Sequence, residues 1–180
     1  MTSFRAAAVA AMVVVALTLQ LGLFPSLAIA GVVPDVVLLV VISLALSRGP
    51  EYAAVVGFLA GLLLDLAPPA DHTAGRWALA FVVVAYLAGL ARRDAPWSTG
   101  ATVAVVAAGS FVGTSLFALS GLVLDDPGVT VSGVAAVVPL AVVYDLILTP
   151  FVVPVVLAVM RRLEPVAARF GTPGFAAGRA

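Results

Sequence analysis

Six apolar runs succeed one another along the chain, each closed by charged residues or by Pro and Gly, with no polar linker or solenoid-type repeat between them. They are Ala6 to Phe24, Val32 to Ser47, Tyr52 to Ala70, Trp77 to Ala91, Thr99 to Leu124 and Val134 to Met160. A helix rises about 1.5 Å per residue and a bilayer's hydrocarbon core is about 30 Å thick, so roughly 20 residues cross it. The first, fifth and sixth runs have that reach. The second and fourth, at 16 and 15 residues, are short, so they must extend into flanking residues, thin the bilayer locally, or be shielded by neighbouring helices. With 63% of the residues hydrophobic and only 10% charged, a soluble domain has no way to hide its apolar surface. The expected fold is all-α: one polytopic membrane bundle of about six transmembrane helices over residues 1–163, then a flexible tail over 164–180 containing Pro165, Gly171, Pro173, Gly174 and Gly178.

Charge placement gives this bundle an orientation. All nine cations are Arg, and arginines concentrate in short cytoplasmic loops. With the N-terminus inside, Arg5, Arg48, Arg92, Arg93, Arg161, Arg162, Arg169 and Arg179 fall inside, and Arg76 alone falls outside, alongside Asp71, Asp125 and Asp126. Both ends are then cytoplasmic. Arg5, an apolar stretch and Ala28-Ile29-Ala30 also resemble a signal peptide with its small-residue cleavage site, but the 19-residue stretch is longer than a typical signal core, which favours a retained first helix.

The inventory narrows function. With no Cys and one His, the usual zinc sites, thiol nucleophiles, Cys-ligated clusters and disulfides have no ligands. A formal net charge of zero offers no basic patch for nucleic acid. No cofactor, metal or catalytic set is indicated.

A few residues stand out against the apolar background. Gly57, Gly61 and Asp65 recur every four residues along one face of the third helix. Small residues let helices approach closely in lipid, so this face serves either internal packing or a partner. Gly109 and Gly113 repeat the pattern in the fifth helix, and the two glycine faces are candidates to meet. Asp65 precedes Ala67-Pro68-Pro69-Ala70 at the outer end of its helix, where a carboxylate reaches interfacial water or pairs with Arg76. Asp145 lies well inside the last run, next to Tyr144 and ahead of Pro150 and Pro154. An ionisable group at that depth must be protonated, paired, or facing a polar cavity, and each proline frees a carbonyl four residues earlier. It is either a polar clamp or a partner or ligand contact. Pro34 and Asp35 open the second helix, where Asp35 reads as a cap, a proline suiting the first position and an acid complementing the helix dipole; both are also candidate outer-loop contacts. His72, in the outer loop with Arg76, is a candidate contact for a ligand or an extracytoplasmic partner.

These residues bring a family into view. The chain resembles MreD, the membrane subunit of the bacterial rod-shape (elongation) complex, from about residue 5 to residue 163. The resemblance rests on the length with six tightly spaced helices, on Pro34-Asp35-Val36-Val37-Leu38-Leu39, and on Gly57-Phe58-Leu59-Ala60-Gly61-Leu62-Leu63-Leu64-Asp65-Leu66, the most specific segment. Asp145-Leu146-Ile147-Leu148-Thr149-Pro150 completes it, although many family members carry Asn where Asp145 stands. The resemblance implies a non-enzymatic scaffold of the bacterial plasma (inner) membrane that supports rod shape and lateral peptidoglycan synthesis. Its implied partners are MreC, the actin-like MreB, a RodA-type glycosyltransferase and a class B penicillin-binding transpeptidase. It also implies a fold similar to the substrate-binding subunits of energy-coupling-factor vitamin transporters.

Two other functions compete. A small-molecule (vitamin-type) binding subunit of a transporter would use Asp65, His72 and Arg76 near the outer mouth. An intramembrane aspartyl protease would need Asp65 and Asp145 on one water, but their depths differ by roughly 9 Å at 1.5 Å per residue and no Gly-x-Gly-Asp motif is present.

Overall fold

The computed structural model describes residues 2–68, 73–94, 98–126 and 129–163, and over these the chain is all-helical. Six α-helices follow in order: α1 Thr2–Gly22, α2 Val36–Arg48, α3 Pro50–Leu66, α4 Arg76–Asp94, α5 Thr99–Val123 and α6 Val131–Leu163, with a 3-10 turn over Phe24–Leu27 after α1. Three of them, α1, α5 and α6, are long and apolar enough to cross a membrane.

Neighbouring helices run in opposite directions. Gly57 and Gly61 of α3 lie against Phe81 and Trp77 of α4. Arg76 at the start of α4 meets Phe117 and Ser120 near the end of α5, and Ile42 and Leu38 of α2 meet Gly109 and Gly113 of α5. This alternation gathers the start of α1, the α2–α3 joint, the α4–α5 connection and the end of α6 at one end of the bundle. Arg5, Arg48, Arg92, Arg93, Arg161 and Arg162 all belong to that end, and Arg76 to the other.

The central element is α2, which packs on all five other helices. Every residue from Val36 to Leu46 is buried, as an all-round apolar sequence requires. Of the three ways a short second run could be accommodated, shielding by its neighbours is therefore the one realised. The helix is shorter than its apolar run. Positions 32–35 stay outside it, because Pro34 lacks an N–H and holds Val33 away from helical geometry, and Asp35 becomes the N-cap, its side chain accepting from Leu38 N. Pro34 thus precedes the cap instead of occupying the first helical turn, and both residues are buried, not displayed on an outer loop. At 13 residues α2 spans about 20 Å.

At its other end α2 turns into α3 with one intervening residue. Gly49 adopts φ +94°, which side-chain-bearing residues rarely tolerate, and Pro50 starts α3 directly. Gly89 of α4 lies so close to this joint that a Cβ there would overlap the Gly49 and Pro50 backbone. The third helix stops at Leu66, ahead of Pro68, short of the expected Ala70. By contrast α4, at 19 residues, is longer than its apolar run because it takes in Arg76, Arg92, Arg93 and Asp94. With 33 residues α6 runs unbroken through Pro139, Pro150 and Pro154.

Candidate functional site

Two of these helices begin against a carboxylate supplied by a different helix. The first four N–H groups of a helix have no partner within it, and at membrane depth each unsatisfied one costs several kcal/mol.

For α2, three of those groups are met by side chains. Asp35 N donates to Asp145 Oδ1 of α6 at 2.7 Å, Val37 N to Gln20 Oε1 of α1 at 2.9 Å, and Leu38 N to Asp35 Oδ1 at 2.8 Å. Asp145 Oδ2 accepts from Ser110 Oγ of α5 at 2.5 Å. Asp145 and Ser110 are fully buried and Gln20 and Asp35 are nearly so. Thr149, one turn on, returns its hydroxyl to Asp145 O at 2.7 Å, and Tyr144 Oη donates to Leu27 O at 3.1 Å, tying the irregular Leu23–Pro34 stretch to α6. This arrangement therefore locks α1, α2, α5 and α6 to one point. Of the two readings open for Asp145, the polar clamp is the one its contacts describe. Pro150, one turn beyond Thr149, lies exposed on α6.

At α4 the donor of the carboxylate is Asp65 of α3. Its oxygens accept from Gly75 N at 2.9 Å, Trp77 N at 3.1 Å and Ala78 N at 3.1 Å. Asp65 is 1% exposed. The expectation that it reaches interfacial water is corrected: the α3–α4 packing that Gly57 and Gly61 permit carries it onto the α4 N-terminus.

Arg76, the first residue of α4, is turned inward too. Its Nε donates to Ser120 Oγ at 3.0 Å, Nη1 to Asp126 Oδ2 at 2.6 Å and Nη2 to Phe117 O at 2.8 Å. The guanidinium lies 4.1 Å over the Phe117 ring, whose other neighbour, Trp77, stacks on it at 4.1 Å. Arg76 is thus buried and unavailable as an outer-mouth contact. His72 lies outside the described residues.

The glycine faces are internal. A Cβ on Gly61 would sit 2.5 Å from Trp77 O, and one on Gly57 2.8 Å from Phe81 O, so this stripe is the α3–α4 seam. Gly109 and Gly113 face Ile42 and Leu38 of α2 and Val84 of α4. The two stripes do not meet each other, because α4 and α2 occupy the space between them.

Asp65 and Asp145 serve different helix ends, one in the α3–α4 pair and the other where α6 meets α2 and α5, so they do not form a catalytic dyad. Gln20 and Ser110 were not singled out in the sequence. Their signal was a polar residue inside a largely apolar helix, at a position the pairing of helices brings level with the start of α2.

No family model matches the chain, and neither a curated protein nor a solved structure is significantly similar to it.

Proposed function

We propose that this chain is a non-enzymatic, multi-pass scaffold of the bacterial inner membrane that serves the cell-elongation machinery, as the MreD-like segments imply. Six membrane-crossing helices with both ends cytoplasmic fit the gathering of Arg5, Arg48, Arg92, Arg93, Arg161 and Arg162 at one end. The observation that carries the reading is the use made of the three MreD-like segments. Pro34-Asp35 and Asp145 meet at the start of α2, and Gly57, Gly61 and Asp65 set α4 against α3. Most of their polar groups are used in holding the bundle together, which suits a protein that acts through its outer helix faces.

Those faces carry Val14 and Val15 on α1, Phe58 and Leu59 on α3, Phe111 on α5 and Phe151 on α6, all exposed. Lipid and partner helices both select such surfaces. The family's MreC-like protein, MreB-like actin homologue, RodA-type glycosyltransferase and class B transpeptidase are the partners to test. Affinity purification of the tagged chain from its native membranes in mild detergent should retain an MreC-like protein. Its clean absence would count against the scaffold. The vitamin-binding alternative loses support from the inward-turned Asp65 and Arg76.

A further inference from the structure

The first helix is held to the bundle mainly through α2, and its buried residues, Val9, Val13, Ala16 and Gln20, share one face. Between α1 and α6 this leaves a groove of about 370 Å³. Ala11, Val15 and Leu19 line it from α1, Val155 and Val159 from α6, and the buried Val40 of α2 lies at its base. No polar side chain belongs to its described lining. Along α1 the groove runs about 12 Å at 1.5 Å per residue.

Two arginines stand at one mouth of it. Gln20 of α1 and Asp145 of α6 both meet the start of α2, which gives the two helices a common level. Toward the arginine-bearing end, Arg5 lies about 22 Å from Gln20 and Arg162 about 26 Å from Asp145 at 1.5 Å per residue. They are therefore nearly level with each other. At about 100° per residue, Arg5 projects between Met12 and Ala16, and Arg162 between Phe151 and Val155, all four of them groove residues. Among the described residues neither arginine has a hydrogen bond or an ion pair. The one carboxylate on the described lengths of α1 and α6 is Asp145, at the opposite end of the groove.

Size and charge together select the occupant. A helix about 10 Å across, lodged over 12 Å, would need about 900 Å³, so the groove admits a single hydrocarbon chain and not a helix. From Arg5 to Leu19 is about 21 Å at 1.5 Å per residue, the depth of one leaflet with its headgroup layer, about 20–22 Å. A soluble anion would leave the apolar groove unused, and a lipid without net charge would leave both arginines unmatched. We propose that the α1–α6 groove holds an acyl chain of an anionic phospholipid whose phosphate sits between Arg5 and Arg162. The proposal rests on the chain lying in a bilayer with its arginine-bearing end at one surface, and is independent of any wall-synthesis partner.

The test is native mass spectrometry of the detergent-purified full chain, offered equal amounts of phosphatidylglycerol and phosphatidylcholine with identical acyl chains. Each arginine near a lipid phosphate favours the anionic lipid about fivefold, so the unaltered chain should prefer phosphatidylglycerol roughly twentyfold. Arg5→Gln or Arg162→Gln alone should reduce that to about fivefold, and the double substitution should bring it near unity. Arg92→Gln, at the same end but on α4, should change nothing. Val155→Trp should lower retention of both lipids by filling the groove; Val155 is 62% exposed, so the bundle accommodates the change. Val143→Trp, exposed on α6 outside the groove, should not. Equal retention of the two lipids, an Arg92→Gln effect matching that of Arg5→Gln, undiminished retention in Val155→Trp, or displacement by excess glycerol 3-phosphate would each overturn the site. A dimer that Val155→Trp abolishes would give the groove to a second copy of the chain and overturn it equally. Failure to recover an MreC-like partner would leave these results untouched.

Discussion

The backbone N–H of Asp35 donates to the carboxylate of Asp145 across 110 positions of sequence, at 2.7 Å. A helix of 13 residues is too short to cross a bilayer alone, and with Val36 to Leu46 all buried its N-terminal N–H groups depend on partners within the protein. Asp145 takes one N–H of that end while Gln20 and Asp35 take two more, and Ser110 holds Asp145 in place.

The contacts at Asp145 need an acceptor toward Asp35 and any polar atom toward Ser110, not a charge. Asp145→Asn should therefore keep the fold, its Oδ1 accepting from Asp35 N and its amide nitrogen donating to Ser110. Asp145→Leu leaves two buried groups unpartnered, at about 1–3 kcal/mol each. Thermal unfolding in detergent should show Asn near the unaltered chain and Leu well below it. Equal loss in both would mean that the charge itself is required.

Alanine at Gly61 should be destabilising by about 1–3 kcal/mol, because its Cβ meets the backbone of Trp77 and Ala78 at 2.5–2.6 Å and backbone cannot step aside. Alanine at Gly22, with open space around it, should be neutral. A paired comparison of unfolding midpoints reads the difference.

Asp65→Ala removes acceptors from three N–H groups at the start of α4. A lost N-cap costs about 0.5–2 kcal/mol, and Asp65→Asn should recover part of it. Hydrogen exchange localised to residues 75–79 would detect the loss even where global stability changes little.

Arg76→Lys keeps the charge but loses the fork that reaches Ser120, Asp126 and Phe117 together. A single ammonium cannot span all three acceptors, so stability should fall, and Trp77 fluorescence should shift as its stacking on Phe117 loosens.

Much of the fold was legible in the residues. Six runs gave six helices, and the Gly57-Gly61-Asp65 spacing marked a face that packs closely. Asp35 was read as a cap and Asp145 as a group needing a partner. What the sequence withheld was pairing. Asp65 looked like an interfacial carboxylate because nothing in its own helix says that α4 begins beside it. Gly57 and Gly61 pack on α4 instead of meeting Gly109 and Gly113, since equivalent stripes of small residues carry no address. Gln20 and Ser110 were passed over for the same reason: a polar residue in an apolar run gains meaning only when its level is matched to another helix. The lengths of α2 and α4 were misjudged in opposite directions, Pro34 trimming an apolar run and charged residues extending a helix beyond one.

The most direct test of the scaffold reading is photocrosslinking in living cells, with a photoreactive residue placed in turn at Val15, Phe58, Phe111 and Phe151, which are exposed on four helices, and at Ala60, buried in the bundle. The account predicts that at least one exposed position traps an MreC-like or other wall-synthesis membrane protein while Ala60 yields only intramolecular products. Crosslinks to lipid alone from every exposed position would contradict it.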